Sequence, residues 1–165
     1  MVEAIDSRVP LVVGIGGNNT QEIINSIRHS VLTGVDGILS VAPYYNKPSQ
    51  KGLFQHFKAI ATSSPLPFII YNVPGRTSCN ISSDTCLELA HACDNIVAIK
   101  EASGDISQIM RIIKGKPENF NVISGDDMMT IPVISAGGTG VISVLANAFP
   151  AQTSELISHS LKNNF

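Results

Sequence analysis

The stretch Ile96-Val97-Ala98-Ile99-Lys100-Glu101-Ala102-Ser103-Gly104-Asp105 organises the chain. Three of its first four residues are β-branched, a single lysine interrupts the apolar run, and Ser103-Gly104 ends it. Such a run reads as a buried strand. Two-residue alternation puts Ala98, Lys100 and Ala102 on one face, and Val97, Ile99 and Glu101 on the other. The lysine therefore lies between two small side chains, with room beside its amine. Burial disfavours an ammonium and moves the group toward its neutral, nucleophilic form. A lysine at a strand end can also simply extend to water. The residues that gather at the ends of the other strands decide between these readings.

Outward from this strand, short apolar runs alternate with amphipathic segments. Residues 9–17 form a continuous apolar strand closing in glycines, as expected when both faces are covered. Residues 1–8 read as the tail of a helix leading into it. A helix starts at Asn19-Thr20-Gln21-Glu22, carries Ile23, Ile27 and Val31 on one face, and ends at Gly34. A strand over 37–43 runs into Tyr44-Tyr45-Asn46-Lys47-Pro48, and Ser49 caps a helix bearing Leu53, Phe54, Phe57 and Ile60. The strand over 68–73 exits through the loop Pro74-Gly75-Arg76-Thr77. The helix beginning at Ser82 then turns Leu87, Ala90 and Cys86 inward. After the lysine strand come a helix over 105–114, a strand over 121–127 ending in Asp126 and Asp127, and a helix over 128–135. A strand over 141–145 and a helix over 150–162 follow. Six strands alternating with helices at intervals of roughly 20–30 residues indicate repeated βαβ units and a parallel sheet. An open doubly wound sheet and a (β/α)₈ barrel both place their chemistry at the carboxyl ends of such strands.

At 165 residues, with 44% hydrophobic and 15% charged residues, the chain is one globular domain. A net charge of −2 provides no attraction for nucleic acid or an anionic membrane, and no apolar run is long enough to span a bilayer. Cys79, Cys86 and Cys93 are odd in number and lack zinc-ligand spacing, so they read as reduced thiols in a cytoplasmic protein, with no metal site. The glycines of Gly14-Ile15-Gly16-Gly17 form a tight turn, and Gly137-Gly138-Thr139-Gly140 precedes its strand, the wrong side for a phosphate cradle.

The strand-end residues are Tyr44, Tyr45, Tyr71, Arg76, Lys100, Asp126 and Asp127. A lysine nucleophile, phenols and an arginine suit carbonyl chemistry on an anionic substrate. The amine forms an imine, a phenol relays protons, and the guanidinium pairs a carboxylate.

Four ordered motifs make the pattern specific: Pro43-Tyr44-Tyr45-Asn46-Lys47-Pro48-Ser49, Tyr71-Asn72-Val73-Pro74-Gly75-Arg76-Thr77, Ile99-Lys100-Glu101-Ala102-Ser103-Gly104 and Ser124-Gly125-Asp126-Asp127. Together they resemble the dihydrodipicolinate synthase family of pyruvate-dependent, class I aldolase-like (β/α)₈ barrels. The resemblance runs along essentially the whole chain. It implies condensation of pyruvate with L-aspartate 4-semialdehyde, a step toward diaminopimelate and lysine, in a cytoplasmic homo-oligomer (a tetramer built of dimers). It implies no cofactor. By motif, Lys100 would form the Schiff base, Tyr71 would relay protons beside it, and Tyr45 would complete the relay from a neighbouring subunit. Arg76 would bind the carboxylate of the aldehyde substrate, while Gly125 and Ile142 would line the pyruvate pocket. Asn18, Glu22 and Tyr44 match positions at which lysine binds as a feedback inhibitor in some members. The related sialic-acid lyases, an alternative aldolase reading, usually carry an apolar residue at the position of Arg76.

The family barrel has eight strands and needs about 250 residues; six strands are legible here. The expectation is an incomplete (β/α)₈ barrel comprising the family's strands three to eight. It would lack the first two βα units, a Thr-Thr-Gly-Glu-like loop and the C-terminal helices. Met1 need not then be the natural start, and the isolated 165 residues are expected to be catalytically silent.

Overall fold

Four helix starts are fixed by local polar caps. The side chains of Asn19, Ser49, Ser82 and Asp105 accept hydrogen bonds from the amides of Glu22, Gly52, Thr85 and Gln108, respectively, so each satisfies an otherwise orphaned donor. In the computed structural model, which describes residues 2–164, the helices are α1 (Val2–Ile5), α2 (Thr20–His29), α3 (Gln50–Ser63), α4 (Pro74–Thr77), α5 (Ser83–Ala92), α6 (Ile106–Gly115), α7 (Thr130–Ser135) and α8 (Pro150–Leu161). Of the helical tail expected at residues 1–8, Met1 lies outside the described residues and Val2–Ile5 is helical. The strands are β1 (Val12–Gly14), β2 (Gly37–Val41), β3 (Phe68–Asn72), β4 (Ile96–Glu101), β5 (Asn121–Ser124) and β6 (Gly140–Val141).

All strand pairs are parallel, and the spatial order is the chain order, β1-β2-β3-β4-β5-β6. A doubly wound sheet reverses direction at a switch point; this one never does. It is a curled part of a (β/α)₈ barrel, as the family resemblance implies. The outer face packs on the helices. Ile38, Phe68, Ile70, Ile99 and Val122 join Ile27, Leu53, Phe57, Ile60, Leu89 and Ile109 in one continuous core. The inner, concave face carries Leu39, Val41, Ile69, Tyr71, Ala98 and Lys100.

Several local expectations are corrected. β1 is a three-residue edge strand with an exposed Val12, so its apolar run is not covered on both faces. Val31 lies beyond the end of α2 and is exposed, while Ile23 and Ile27 are buried as expected. The exit loop after β3 is a short helix, α4, begun by a proline at its first turn. The last strand is only Gly140–Val141, because the Asp127 carboxylate takes the amides of Val144 and Leu145 at 3.1 and 3.0 Å and turns the chain away. In β4 the register with β3 slips between Phe68/Ile69, leaving Val97 without a partner. This bulge puts Ile96, not Val97, into the core with Ile99 and leaves the Ala98/Lys100 alternation intact.

Unpaired backbone runs along β1 and β6, and apolar side chains flank both. Val9 and Val12 are exposed at one edge, and Val144, Leu145 and Phe149 at the other. The 165 residues alone are therefore expected to self-associate at micromolar concentration, since no charge blunts either edge strand. Sedimentation velocity checks this; a monodisperse monomer would show that the edges are protected.

Between α2 and α3, His56 is buried beside Phe57 and shares a 2.8 Å hydrogen bond with the Thr20 hydroxyl, while its Nε2 has no partner. Desolvation moves its pKa from 6.5 down to about 4. The unfolded chain therefore binds the proton first as pH falls. The stabilisation associated with the neutral ring is present above pH 6.5 and is lost as pH drops through about 4. The shift amounts to about 3 kcal/mol. Urea unfolding should show this slope in the native sequence and a flatter one in His56→Asn. An identical slope in the variant would assign the titration elsewhere.

Candidate active site at the strand ends

Sheet register brings Tyr71 and Lys100 together. They are Cα partners across β3 and β4, both on the concave face, and the Lys100 Nζ stands 4.1 Å from the centre of the Tyr71 ring. Both side chains are half-buried. Desolvation lowers the Lys100 pKa, which favours the free amine. Desolvation also raises the Tyr71 phenol, an effect that the positive charge of Arg76 opposes. Arg76 itself is exposed on α4, one short loop beyond the strand that carries Tyr71.

Gly125 forms the neighbouring wall. A Cβ added there would lie 3.0 Å from the Lys100 Cε and 3.0 Å from the Ala102 Cβ, so any side chain would press on the amine's stem. The Gly125 amide donates to the Glu101 carbonyl at 2.8 Å, and the Ile142 amide donates to the Ser124 carbonyl at 2.9 Å. Gly125 and Ile142 thus flank the end of β5 next to Lys100. On the other side, Tyr71 shares a cavity of about 260 Å³ with Gly14, Gly16, Leu39 and Val41.

Tyr44 and Tyr45 follow β2 but do not reach Lys100 in the same way. Tyr45 has a φ of 71° and is 87% exposed, and the Asn46 amide donates to the Tyr44 carbonyl across it at 2.8 Å. That is a γ-turn with a strained left-handed centre, and it holds the phenol out in solvent. Asn18, Glu22 and Tyr44 line a separate cavity of about 160 Å³. Asn18 Nδ2 donates to the Tyr44 carbonyl at 3.2 Å, which ties two of the three together.

The two carboxylates at the end of β5 prove to be architectural. Asp126 accepts from the Met128 amide at 2.9 Å. Asp127 is held below the usual carboxylate range by the Ser143 hydroxyl and the Leu145 and Val144 amides. Neither joins the lysine. The three cysteines are free and buried, and burial pushes the Cys86 thiol up. No helix among the described residues is long and apolar enough to cross a membrane.

Sequence reasoning missed a polar cluster on the helix side of the same strand ends. Glu101 and Asn72 are Cα partners one residue beyond Lys100 and Tyr71, and both are buried. Asn72 Nδ2 donates to both carboxylate oxygens of Glu101 at 3.2 and 3.1 Å; Gln108 Nε2 donates at 3.3 Å and the Ser103 amide at 2.7 Å. The available signal was Glu101 itself, a charged residue on the apolar face of a buried strand.

Residues 1–164 match the family model described as the dihydrodipicolinate synthetase family. The chain is 48% identical over 165 residues to the 4-hydroxy-tetrahydrodipicolinate synthase of Parabacteroides distasonis, covering 100% of this chain and 56% of that protein. Its fold superposes on the crystal structure of dihydrodipicolinate synthase from Aquifex aeolicus with a TM-score of 0.95 at 44% identity, covering 99% of this chain and 56% of the other. A lysine-bound dihydrodipicolinate synthase from Cyanidioschyzon merolae matches with a TM-score of 0.87 at 44% identity, over 91% of this chain and 51% of that one. The chain thus spans just over half the length of the curated relatives it matches.

Proposed function

Because the chain belongs to the dihydrodipicolinate synthetase family, we propose that its residues are the catalytic part of a 4-hydroxy-tetrahydrodipicolinate synthase in which Lys100 carries pyruvate. The observation that carries this reading is the Lys100 amine over the Tyr71 ring, with Arg76 on the next element of the chain.

The chemistry follows from those groups. The neutral Nζ adds to the C2 carbonyl of pyruvate. The oxygen takes up protons and leaves as water, and a C=N bond forms. Loss of a methyl proton gives an enamine, whose terminal carbon attacks the aldehyde carbon of L-aspartate 4-semialdehyde while the aldehyde oxygen is protonated. The substrate's own amino group then attacks the imine carbon, closes the ring and frees Lys100. Tyr71, whose ring centre lies 4.1 Å from the amine, is the proton carrier. Gly125 and Ile142 bound the pyruvate side, and the Arg76 guanidinium takes the carboxylate of the second substrate. A sialic-acid lyase has no such carboxylate to hold, so Arg76 favours the synthase.

Tyr45, projecting from its strained turn, is suited to enter the site of a second copy, which makes the active form a homo-oligomer. Asn18, Glu22 and Tyr44 share a cavity in which the Glu22 carboxylate suits an ammonium, in keeping with a lysine-feedback site. Three reduced thiols fit the cytoplasm. Borohydride reduction in the presence of pyruvate tests the central step in the full-length protein that carries this chain. The added mass must fall on the peptide containing Lys100.

A further inference from the structure

The strand ends carry two tiers of paired residues. On the concave face Tyr71 meets Lys100, and one residue on, facing the helices, Asn72 meets Glu101. Glu101 is 1% exposed, and among the described residues no basic side chain forms an ion pair with it. A buried carboxylate without a cation is expensive to keep. Burial raises its pKa, and the donors from Ser103, Asn72 and Gln108 pull it back. Every hydrogen bond the carboxylate makes is one it accepts, as suits the ionised form.

The donors are themselves anchored. Asn72 Nδ2 also donates to the Asn80 side-chain oxygen at 2.8 Å, and its own carbonyl oxygen accepts from the Ile81 amide at 2.9 Å. Asn80 Nδ2 in turn donates to Gln108 at 2.9 Å. Asn72 and the 80–81 pair thus pin the two ends of the loop that holds α4, and Arg76 rides on that loop. The carboxylate at the centre of this cluster belongs to the residue after Lys100.

We propose that Glu101 is a positioning residue. Through Asn72 and Gln108 it fixes the base of the α4 loop relative to β4, and so sets the reach of Arg76 from Lys100. This rests on the synthase reading above. Glu101 touches no substrate; it acts by keeping two substrate-binding groups on one rigid frame.

The test uses the full-length protein. In Glu101→Gln the new amide donor faces the donors of Asn72 and Gln108, and the frame loosens. The KM for aspartate semialdehyde should rise about tenfold, the scale of a lost buried charged hydrogen bond. Borohydride trapping of pyruvate on Lys100 should stay within about twofold. In the exchanged pair Glu101→Gln with Asn72→Asp, the Asn80 and Gln108 amides can turn over so that every contact is again donor to acceptor; the acceptor for Ile81 is kept, and most of that KM should be recovered. Gln108→Ala, which removes a single donor, should shift the same constant in the same direction by less and serves if Glu101→Gln does not fold. An unchanged semialdehyde KM in both single variants would overturn the proposal. So would equal damage to both substrates with no recovery in the exchanged pair. Absence of any pyruvate adduct on Lys100 in the native sequence would instead overturn the synthase reading, and the positioning role with it.

Discussion

Lys100→Arg should reduce borohydride-dependent incorporation of pyruvate to background, with the overall fold retained. Arginine keeps the charge and most of the stem, yet its guanidinium stays protonated at any working pH and forms no imine. The native amine is different because half-burial beside Tyr71 and Ala98 lowers its pKa. The rate of adduct formation should rise with pH and level off below the ordinary lysine value of 10.5. The same shift has a sign for stability. Between the folded and unfolded pKa values the unfolded chain holds more protons, so stability is gained as pH rises through that window. Label that survives Lys100→Arg, or that maps to another lysine, would show that the nucleophile lies elsewhere.

Arg76→Ala in the full-length protein should raise the KM for aspartate semialdehyde by about 10–150-fold and leave that for pyruvate nearly unchanged, the range given by losing a charged bidentate hydrogen bond. A second readout distinguishes binding from general damage. The positive charge of Arg76 opposes the desolvation that raises the Tyr71 phenol. Its removal should therefore let the Tyr71 phenol keep its proton to higher pH, which a pH profile of kcat would show as a basic limb displaced upward. Equal effects on both substrates would make Arg76 a structural residue. No effect on either would favour an aldolase that handles an uncharged aldehyde.

Much of this site was legible in the residues. The alternation that puts Ala98 and Lys100 on one face holds, and Tyr71 and Lys100 lie near the ends of consecutive parallel strands, but their residue-for-residue pairing depends on the bulge at Val97. Asn19, Ser49, Ser82 and Asp105 announce helices by short-range chemistry alone. What escaped reading depended on distant partners. The slip at Val97 arises between two strands and leaves no mark in either. The last strand is cut short by Asp127, some 17 residues upstream of the amides it captures. Asn72, Asn80, Glu101 and Gln108 look like unrelated polar residues until the fold brings β3, the α4 loop, β4 and α6 to one point. The short α4 helix is a different case, since Pro74 at its first turn was a local signal in plain view.

The unbroken strand order has a consequence for how the chain acquires its structure. Each βα unit lies against the units before and after it in the sequence, in the manner of a stacked array. Loop closures are correspondingly short, ordering can begin at any unit, and it can spread in either direction. In the 165 residues taken alone, protection against local opening is expected to grade inward from β1 and β6, each paired on one side only, toward strands paired on both. Tyr71 and Lys100 occupy the middle of that gradient, on β3 and β4. In the same isolated chain, Lys100 is thereby mounted on strands expected to open least, with fraying expected at the two edge strands.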